Sequence, residues 1–353
     1  MRIVLSNSSW KWGGVHFVTE ALARGLTARG HDVTLFCRPD SELESRMRGV
    51  VPLEPILHGM DFGPAGVTRA LRALRRRRAE VAVALMDKDL RITGVAARLL
   101  RLPVVVRRAN DRPLARARAR LTYRVLATRI VANSAATRRT LLDSAPALAE
   151  RGIDVIPNGI DVDAFASAEA ADFGLPGNAV VFGFAGRFEA RKGLRELMRA
   201  WPDVAAAVPA AHLVVVGRGD LETEIRAWAD RAPRVRLAGF RPDIACVLRA
   251  FDVLVVPSHW EGFGLIAAEG MAAGLPVIAA AASSLPELVA DGVSGRLVHP
   301  GDANALARAM IDFGADPALR SSAGKAGREI CRREFPLERM VERWEELLGD
   351  VVA

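Results

Sequence analysis

The feature that most constrains this chain is a rhythm, in which short β-rich apolar runs alternate with longer helix-patterned stretches. In the first half the runs fall at residues 2–5, 32–36, 81–85, 103–106 and 129–132. Helical patterns lie between them at 15–29 (stopped by Gly30) and near 89–101, 114–128 and 135–143. The second half repeats the pattern, with runs at 180–185, 212–216, 234–238, 253–256 and 276–279. Strand–helix alternation requires right-handed parallel crossovers and doubly wound sheets. Few of the runs alternate in polarity, as expected when helices cover both faces of a sheet. Turn residues Pro157-Asn158-Gly159 mark a boundary, and the stretch on to Pro176-Gly177 has little regular pattern. At 353 residues, half of them apolar, the chain exceeds one ordinary core. The expected fold is therefore α/β, with two Rossmann-like doubly wound parallel-sheet domains facing across a cleft.

Charge divides along the same line. Residues 1–151 carry 28 Lys and Arg against 13 Asp and Glu, leaving 21 against 28 in the remainder. A basic half calls for an anionic partner: a phosphorylated acceptor, an anionic membrane surface or nucleic acid. No run reaches the length of a membrane span, and the apolar run at the N-terminus is too short for a secretory signal. Cys37, Cys246 and Cys331 are scattered and odd in number, and the six histidines show no ligand spacing. The expectation is a cytoplasmic protein with no structural metal and no disulfide frame.

Ligands of such sheets bind at the carboxyl ends of strands, in loops feeding helix N-termini. Three stretches fit that place. In the first, Ser6-Asn7-Ser8-Ser9-Trp10-Lys11-Trp12-Gly13-Gly14, a strand ends and a glycine pair opens a helix. Gly13 and Gly14 would let backbone amides approach a phosphate, or they simply make a turn. This is not the dinucleotide fingerprint. Trp10 and Trp12 line a cleft or cover core. In the second, Gly186-Arg187 leads to Lys192-Gly193, placing two cations that suit a diphosphate or are solvated surface charges.

The third stretch, His259-Trp260-Glu261-Gly262-Phe263-Gly264-Leu265-Ile266-Ala267-Ala268-Glu269, holds two carboxylates eight positions apart. They could be an acid/base pair or a grip on a ligand. Glu261 falls in the loop, and Glu269 about one turn inside a helix starting near Leu265. Amides of that first turn suit phosphate, Glu269 suits the two hydroxyls of a ribose, and Glu261 suits a sugar beyond the phosphates.

Arg187…Lys192-Gly193 and Glu261-Gly262-Phe263-Gly264…Glu269 together resemble the family-4 retaining glycosyltransferases of GT-B fold. Ile156-Pro157-Asn158-Gly159, Pro257-Ser258, Gly274-Leu275-Pro276 and Leu285-Pro286-Glu287 support the likeness, which covers nearly the whole chain. The resemblance implies an acceptor-binding domain at about 1–158, joined by a returning C-terminal helix at about 337–353. It implies a nucleotide-sugar-binding domain at about 159–336 and domain closure over the substrates. Arg187 and Lys192 would hold the donor diphosphate and stabilise the leaving group. Glu261 would bind the donor sugar, Glu269 the ribose, backbone amides near Gly264 and Leu265 the phosphate or sugar, and Phe240 would lie at the base. No cofactor or metal is implied; a nucleoside-diphosphate sugar is the co-substrate. The reaction implied is hexosyl transfer with retention to a hydroxyl on a glycan or lipid-linked acceptor. It would belong to cell-envelope glycan or glycolipid synthesis, at the inner face of the membrane.

The sequence departs from the family in the loop Arg107-Arg108-Ala109-Asn110-Asp111, where many relatives carry a histidine. Arg108 or Asp111 would then touch the donor sugar. Ser283-Ser284 replaces a common glycine pair. Arg75–Arg78 reads first as a solvated helix end that complements the dipole, and second as a contact with anionic membrane. Three rivals stand beside the transferase: a nucleotide-sugar epimerase, a glycoside hydrolase, and a nucleic-acid or anionic-surface binding module. The basic half has no aromatic-rich reader face, so no nucleic acid is expected.

Overall fold

The computed structural model describes residues 1–10, 13–58 and 63–353. Its chain divides into two compact units, Met1–Gly159 with Leu337–Ala353, and Ile160–Pro336.

The first unit holds seven strands: β1 (Arg2–Asn7), β2 (Asp32–Cys37), β3 (Leu53–Glu54), β4 (Val81–Ala84), β5 (Val104–Arg108), β6 (Arg129–Ala132) and β7 (Ile153–Val155). They run in the order β3-β2-β1-β4-β5-β6-β7, every pairing parallel. The second unit holds β8 (Val180–Ala185), β9 (Ala211–Val216), β10 (Val235–Gly239), β11 (Val253–Val256), β12 (Val277–Ala280) and β13 (Gly295–Val298), in the order β10-β9-β8-β11-β12-β13, again all parallel. Both sheets are doubly wound. In the first unit, Ile3, Val83, Val105 and Val131 face one layer of helices and Val4, Ala82, Val106 and Ile130 face another. That two-sided cover explains why β4, β11 and β12 are buried along their whole length and show no alternation.

Three strands escape sequence reading. β3 and β7 lie at sheet edges and are only two and three residues long. β13 (Gly-Arg-Leu-Val) is also an edge strand, with too little apolar pattern to stand out. The helix expected near 89–101 is not continuous either. It opens as a turn at Asp87–Asp89, widens to π-type bonding over Leu90–Gly94 and regains α geometry over Val95–Leu99.

The last helix, Leu337–Val352, belongs to the first unit although it follows the second in sequence. Its Met340, Val341, Trp344, Leu347 and Leu348 enter the core beside Ile3, Leu22 and Val83. The spacing of these five residues is the apolar stripe of an amphipathic helix.

Strand order positions the functional loops. Winding reverses between β1 and β4 in the first sheet and between β8 and β11 in the second. At such a point the loops leaving the two central strands diverge and open a crevice. The loops after β8 and β11 carry the Arg187–Lys192 and Glu261 stretches.

Candidate active site

Residues about 70 positions apart meet at the β8/β11 reversal. The two loops are joined by a backbone hydrogen bond from His259 N to Arg191 O, 2.8 Å. Gly193 seals the junction. Its φ is +70°, and a Cβ there would come within 1.9 Å of the Pro257 carbonyl oxygen, so only glycine fits. Gly264 does the same at the start of the Leu265–Ala273 helix, with φ +86° and Leu285 Cδ2 at 2.8 Å from where a Cβ would stand.

Glu261 is buried and meets two hydrogen-bond donors and a second cation. Lys192 Nζ lies 2.5 Å from Oε1, Ser258 Oγ donates to the same oxygen at 2.9 Å, and Arg191 Nη1 stands 3.7 Å from Oε2. Arg191 also stacks over the Trp260 ring at 4.4 Å and donates from Nε to Glu189 at 2.7 Å. Arg187, 66% exposed, pairs with the other oxygen of Glu189 at 2.8 Å. The cation set is therefore Lys192, Arg191 and Arg187, tied to two carboxylates. Sequence reasoning missed Arg191 and Glu189, although both lie inside the stretch it quoted.

Glu269 is different in kind. Every residue of its helix from Ala267 to Ala273 is buried, and burial alone pushes the Glu269 carboxyl up to about 8. No side chain among the described residues donates to it. The Leu265 and Ile266 amides in the first turn of the same helix also have no acceptor among the described residues. Free donors and an unsatisfied carboxyl thus occupy one short helix behind the Lys192–Glu261 pair.

Phe240 follows β10, half-exposed, with Arg218 over its ring at 4.4 Å. The Phe263 side chain is not on the ligand side. It is buried edge-on against Phe335, 5.6 Å between centroids, so only its backbone belongs to the loop with Gly262.

In the first unit, Gly13 precedes the Gly14–Ala28 helix in extended conformation, and a Cβ on it would meet nothing within 4 Å. Trp10 stands 53% exposed under Arg38, so it does not cover core. Lys11 and Trp12 fall outside the described residues. The loop before the glycines is held from behind by Asp89, which accepts from the Ser8 hydroxyl and amide while Lys88 Nζ donates to Ser8 O at 3.0 Å. Burial raises the Asp89 carboxyl to about 7. Sequence reasoning missed this residue, because its link to Ser8 exists only when β1 and β4 are neighbours.

Arg108 sits in a buried network. Its guanidinium is buried, paired with Asp87, and donates to Arg112 O at 2.6 Å, while the Tyr123 hydroxyl donates to Asp87. Arg108 therefore braces the scaffold through its two terminal nitrogens, while its buried Nε has no partner among the described residues. Asp111 keeps a buried Oδ1 without a partner among the described residues. Arg107, on the opposite face of β5, donates to Asn158 Oδ1 at 2.8 Å, and burial lowers it to about 10. Among the described residues there is no group of His, Cys, Asp and Glu able to hold a metal ion.

Two Rossmann-like parallel-sheet units, with cations, a helix N-terminus and two glutamates at one sheet reversal, define the GT-B glycosyltransferase class of fold. Family models agree: "Glycosyltransferase Family 4" matches residues 12–164, and "Glycosyl transferases group 1" matches 179–316. The chain belongs to the family-4 glycosyltransferases.

The phosphatidyl-myo-inositol mannosyltransferase of Mycolicibacterium smegmatis is 38% identical over 186 residues, 51% of this chain and 48% of that protein. The D-inositol 3-phosphate glycosyltransferase of Streptomyces avermitilis is 36% identical over 234 residues, 61% of this chain and 50% of that protein. The chain thus spans about half the length of the curated relatives it matches. Among solved structures, Anabaena HepE in complex with UDP and glucose superposes with a TM-score of 0.86 at 23% identity, covering 99% of each chain. At that identity the likeness speaks for the fold.

Proposed function

We propose that this protein transfers a hexosyl group, with retention, from a nucleoside-diphosphate sugar to a hydroxyl of a glycolipid or other cell-envelope acceptor. One observation carries the reading: the Lys192–Glu261 pair stands at the sheet reversal before a helix whose first amides and whose Glu269 lack partners among the described residues.

A diphosphate arriving there meets Lys192, Arg187 and the Leu265 and Ile266 amides. These groups stabilise negative charge where it grows on the leaving group. As Lys192 turns to phosphate, Glu261 is released to accept hydrogen bonds from hydroxyls of the donor sugar. Glu269 receives the ribose hydroxyls, which supply the donors it lacks. Phe240 meets the base. The cations and helix amides perform the electrostatic work without a metal, and the leaving phosphate takes the proton of the attacking hydroxyl on the same face of the sugar. The basic Met1–Gly159 unit takes the acceptor, and the Gly13-Gly14 amides approach a phosphate. Of the pair Arg108 and Asp111, we assign the sugar contact to Asp111, through its unpartnered oxygen. The enzyme works at the cytoplasmic face of the membrane. Names of relatives support the acceptor class: several act on phosphatidylinositol or inositol phosphate.

Thermal melts with UDP, GDP, ADP, CDP and TDP, each with EDTA, test the donor half. A ligand at 100 times its dissociation constant adds about 2.7 kcal/mol to the native state. One nucleotide should raise the midpoint in EDTA. No shift with any of the five removes the donor roles of Lys192, Arg187, Glu261 and Glu269.

A further inference from the structure

Five large apolar side chains stand exposed among the described residues of the first unit, and three of them, Leu99, Leu121 and Val125, lie among arginines. In the Ala117–Leu126 helix, Tyr123 faces inward and is buried, with its hydroxyl on Asp87. On the outer face, Leu121 and Val125 are 60% and 48% exposed, one helical turn apart. Leu99, 64% exposed, ends the Val95–Leu99 helix, which covers the same side of the sheet. A lone exposed leucine means little. These three stand among Arg98, Arg101, Arg116, Arg120 and Arg124, all exposed. The chain has no Asp or Glu between Asp89 and Asp111, nor between Asp111 and Asp143.

Elsewhere in the unit, part of the basic charge is answered by carboxylates. Arg76 and Arg77 reach Glu54 at 2.5 and 2.8 Å, Arg29 reaches Glu345, and Arg129 reaches Asp154. The Arg75–Arg78 run is therefore half neutralised. By contrast Arg98, Arg101, Arg116 and Arg124 have no carboxylate partner among the described residues.

We propose that the outer face of the Ala117–Leu126 helix, with Leu99 in the same helical layer, is a docking surface for an anionic lipid bilayer. Leucine and valine enter the boundary between head groups and acyl chains, and the surrounding guanidinium groups bind lipid phosphates. The helix lies in the interface and does not cross it; no helix among the described residues is long and apolar enough to span a membrane. A nucleic acid would be met by stacking aromatics, and the one aromatic ring of this helix points into the core. The surface deepens the reading of a lipid-linked acceptor by locating where the enzyme meets the lipid.

Flotation of the full-length protein tests it, with vesicles of phosphatidylcholine alone and of phosphatidylcholine mixed with phosphatidylglycerol. Neither nucleotide nor acceptor is present, so failure here leaves the donor reading untouched. The expected result is about tenfold tighter binding to the anionic vesicles, weakened by high salt. The double variant Leu121→Ser with Val125→Ser should lose about tenfold at unchanged thermal midpoint. Arg116→Gln with Arg124→Gln should lose about as much and show a shallower salt dependence. Arg75→Gln with Arg78→Gln should bind as wild type. The proposal is overturned if wild type ignores anionic vesicles, if both helix variants bind normally, if only the Arg75 and Arg78 variant fails, or if duplex DNA displaces the protein from the vesicles.

Discussion

Lys192 and Arg108 are both largely buried cations paired with a carboxylate, yet their surroundings give them different work. Lys192 holds Glu261 in a loop at the sheet reversal, beside unused helix amides. Arg108 is enclosed by Asp87, Tyr123 and the Arg112 carbonyl. Replacing Lys192 by Ala should lower turnover about 100- to 1,000-fold, the usual loss for one charge-stabilising donor, with circular dichroism unchanged. Replacing Arg108 by Ala should instead cost stability. Breaking a fully buried pair costs about 3–5 kcal/mol, and about 2 kcal/mol is expected here because Asp87 is 33% exposed. Urea melts and initial rates on the two variants separate the roles; wild-type turnover in the Lys192 variant would remove its diphosphate assignment.

Glu269 yields a pH signature. Its carboxyl titrates near 8 in the folded protein against an ordinary 4.5. Below pH 4.5 both states hold the proton. Between 4.5 and 8 the unfolded chain releases it and the folded chain does not, so stability falls as pH rises across that window. Glu269→Gln has no proton to lose. Its stability advantage over wild type should grow by about 1–3 kcal/mol from pH 5 to pH 8, read by urea melts. The contribution of Asp89, which runs in the same direction, cancels in that difference. An equal gap at both pH values would mean Glu269 is not buried as described.

Among the elements, the Leu265–Ala273 helix was legible in outline. Its glycine start, its first-turn donors and Glu269 one turn inside follow from the order of residues. What its sequence does not disclose is that nearly the whole helix is buried, because its apolar residues surround it and mark no face. The expected helix near 89–101 shows the opposite failure. Its composition is helical throughout, but the wide turn over Leu90–Gly94 appears only in the tertiary structure. Gly94 there has Leu126 Cβ within 3.6 Å of where a Cβ would stand, a neighbour some 30 residues away. At the β8–β11 junction, the two loops hold one geometry through Gly193. Gly193→Ala should destabilise the protein by more than the about 1 kcal/mol of an ordinary left-handed alanine, because the new methyl meets a backbone oxygen at 1.9 Å. A thermal midpoint equal to wild type would show that the loop shifts freely.

Over the whole molecule, the alternation of apolar runs and helical patterns determined two doubly wound sheets, and the turn at Pro157–Gly159 determined roughly where one gives way to the other. Both are local signals: strand and helix periods are written along the chain, and turn residues act where they stand. The motif order also placed Arg187, Lys192, Glu261 and Glu269 after strands of the same sheet, where Lys192 meets Glu261. The tertiary structure decided the rest. It paired β1 with β4 and β8 with β11, and that adjacency recruited Asp89 behind Ser8 and joined the Arg191 loop to His259. It turned Phe263 inward against Phe335 and committed Arg108 to Asp87. It set Arg76 and Arg77 against Glu54 while leaving Arg116 and Arg124, beside Leu121 and Val125, without a carboxylate partner among the described residues. The physical reason is the same in each case. A residue's type fixes what it can bond, but burial and the identity of its partner depend on which distant strand lies beside it, and no local period encodes that.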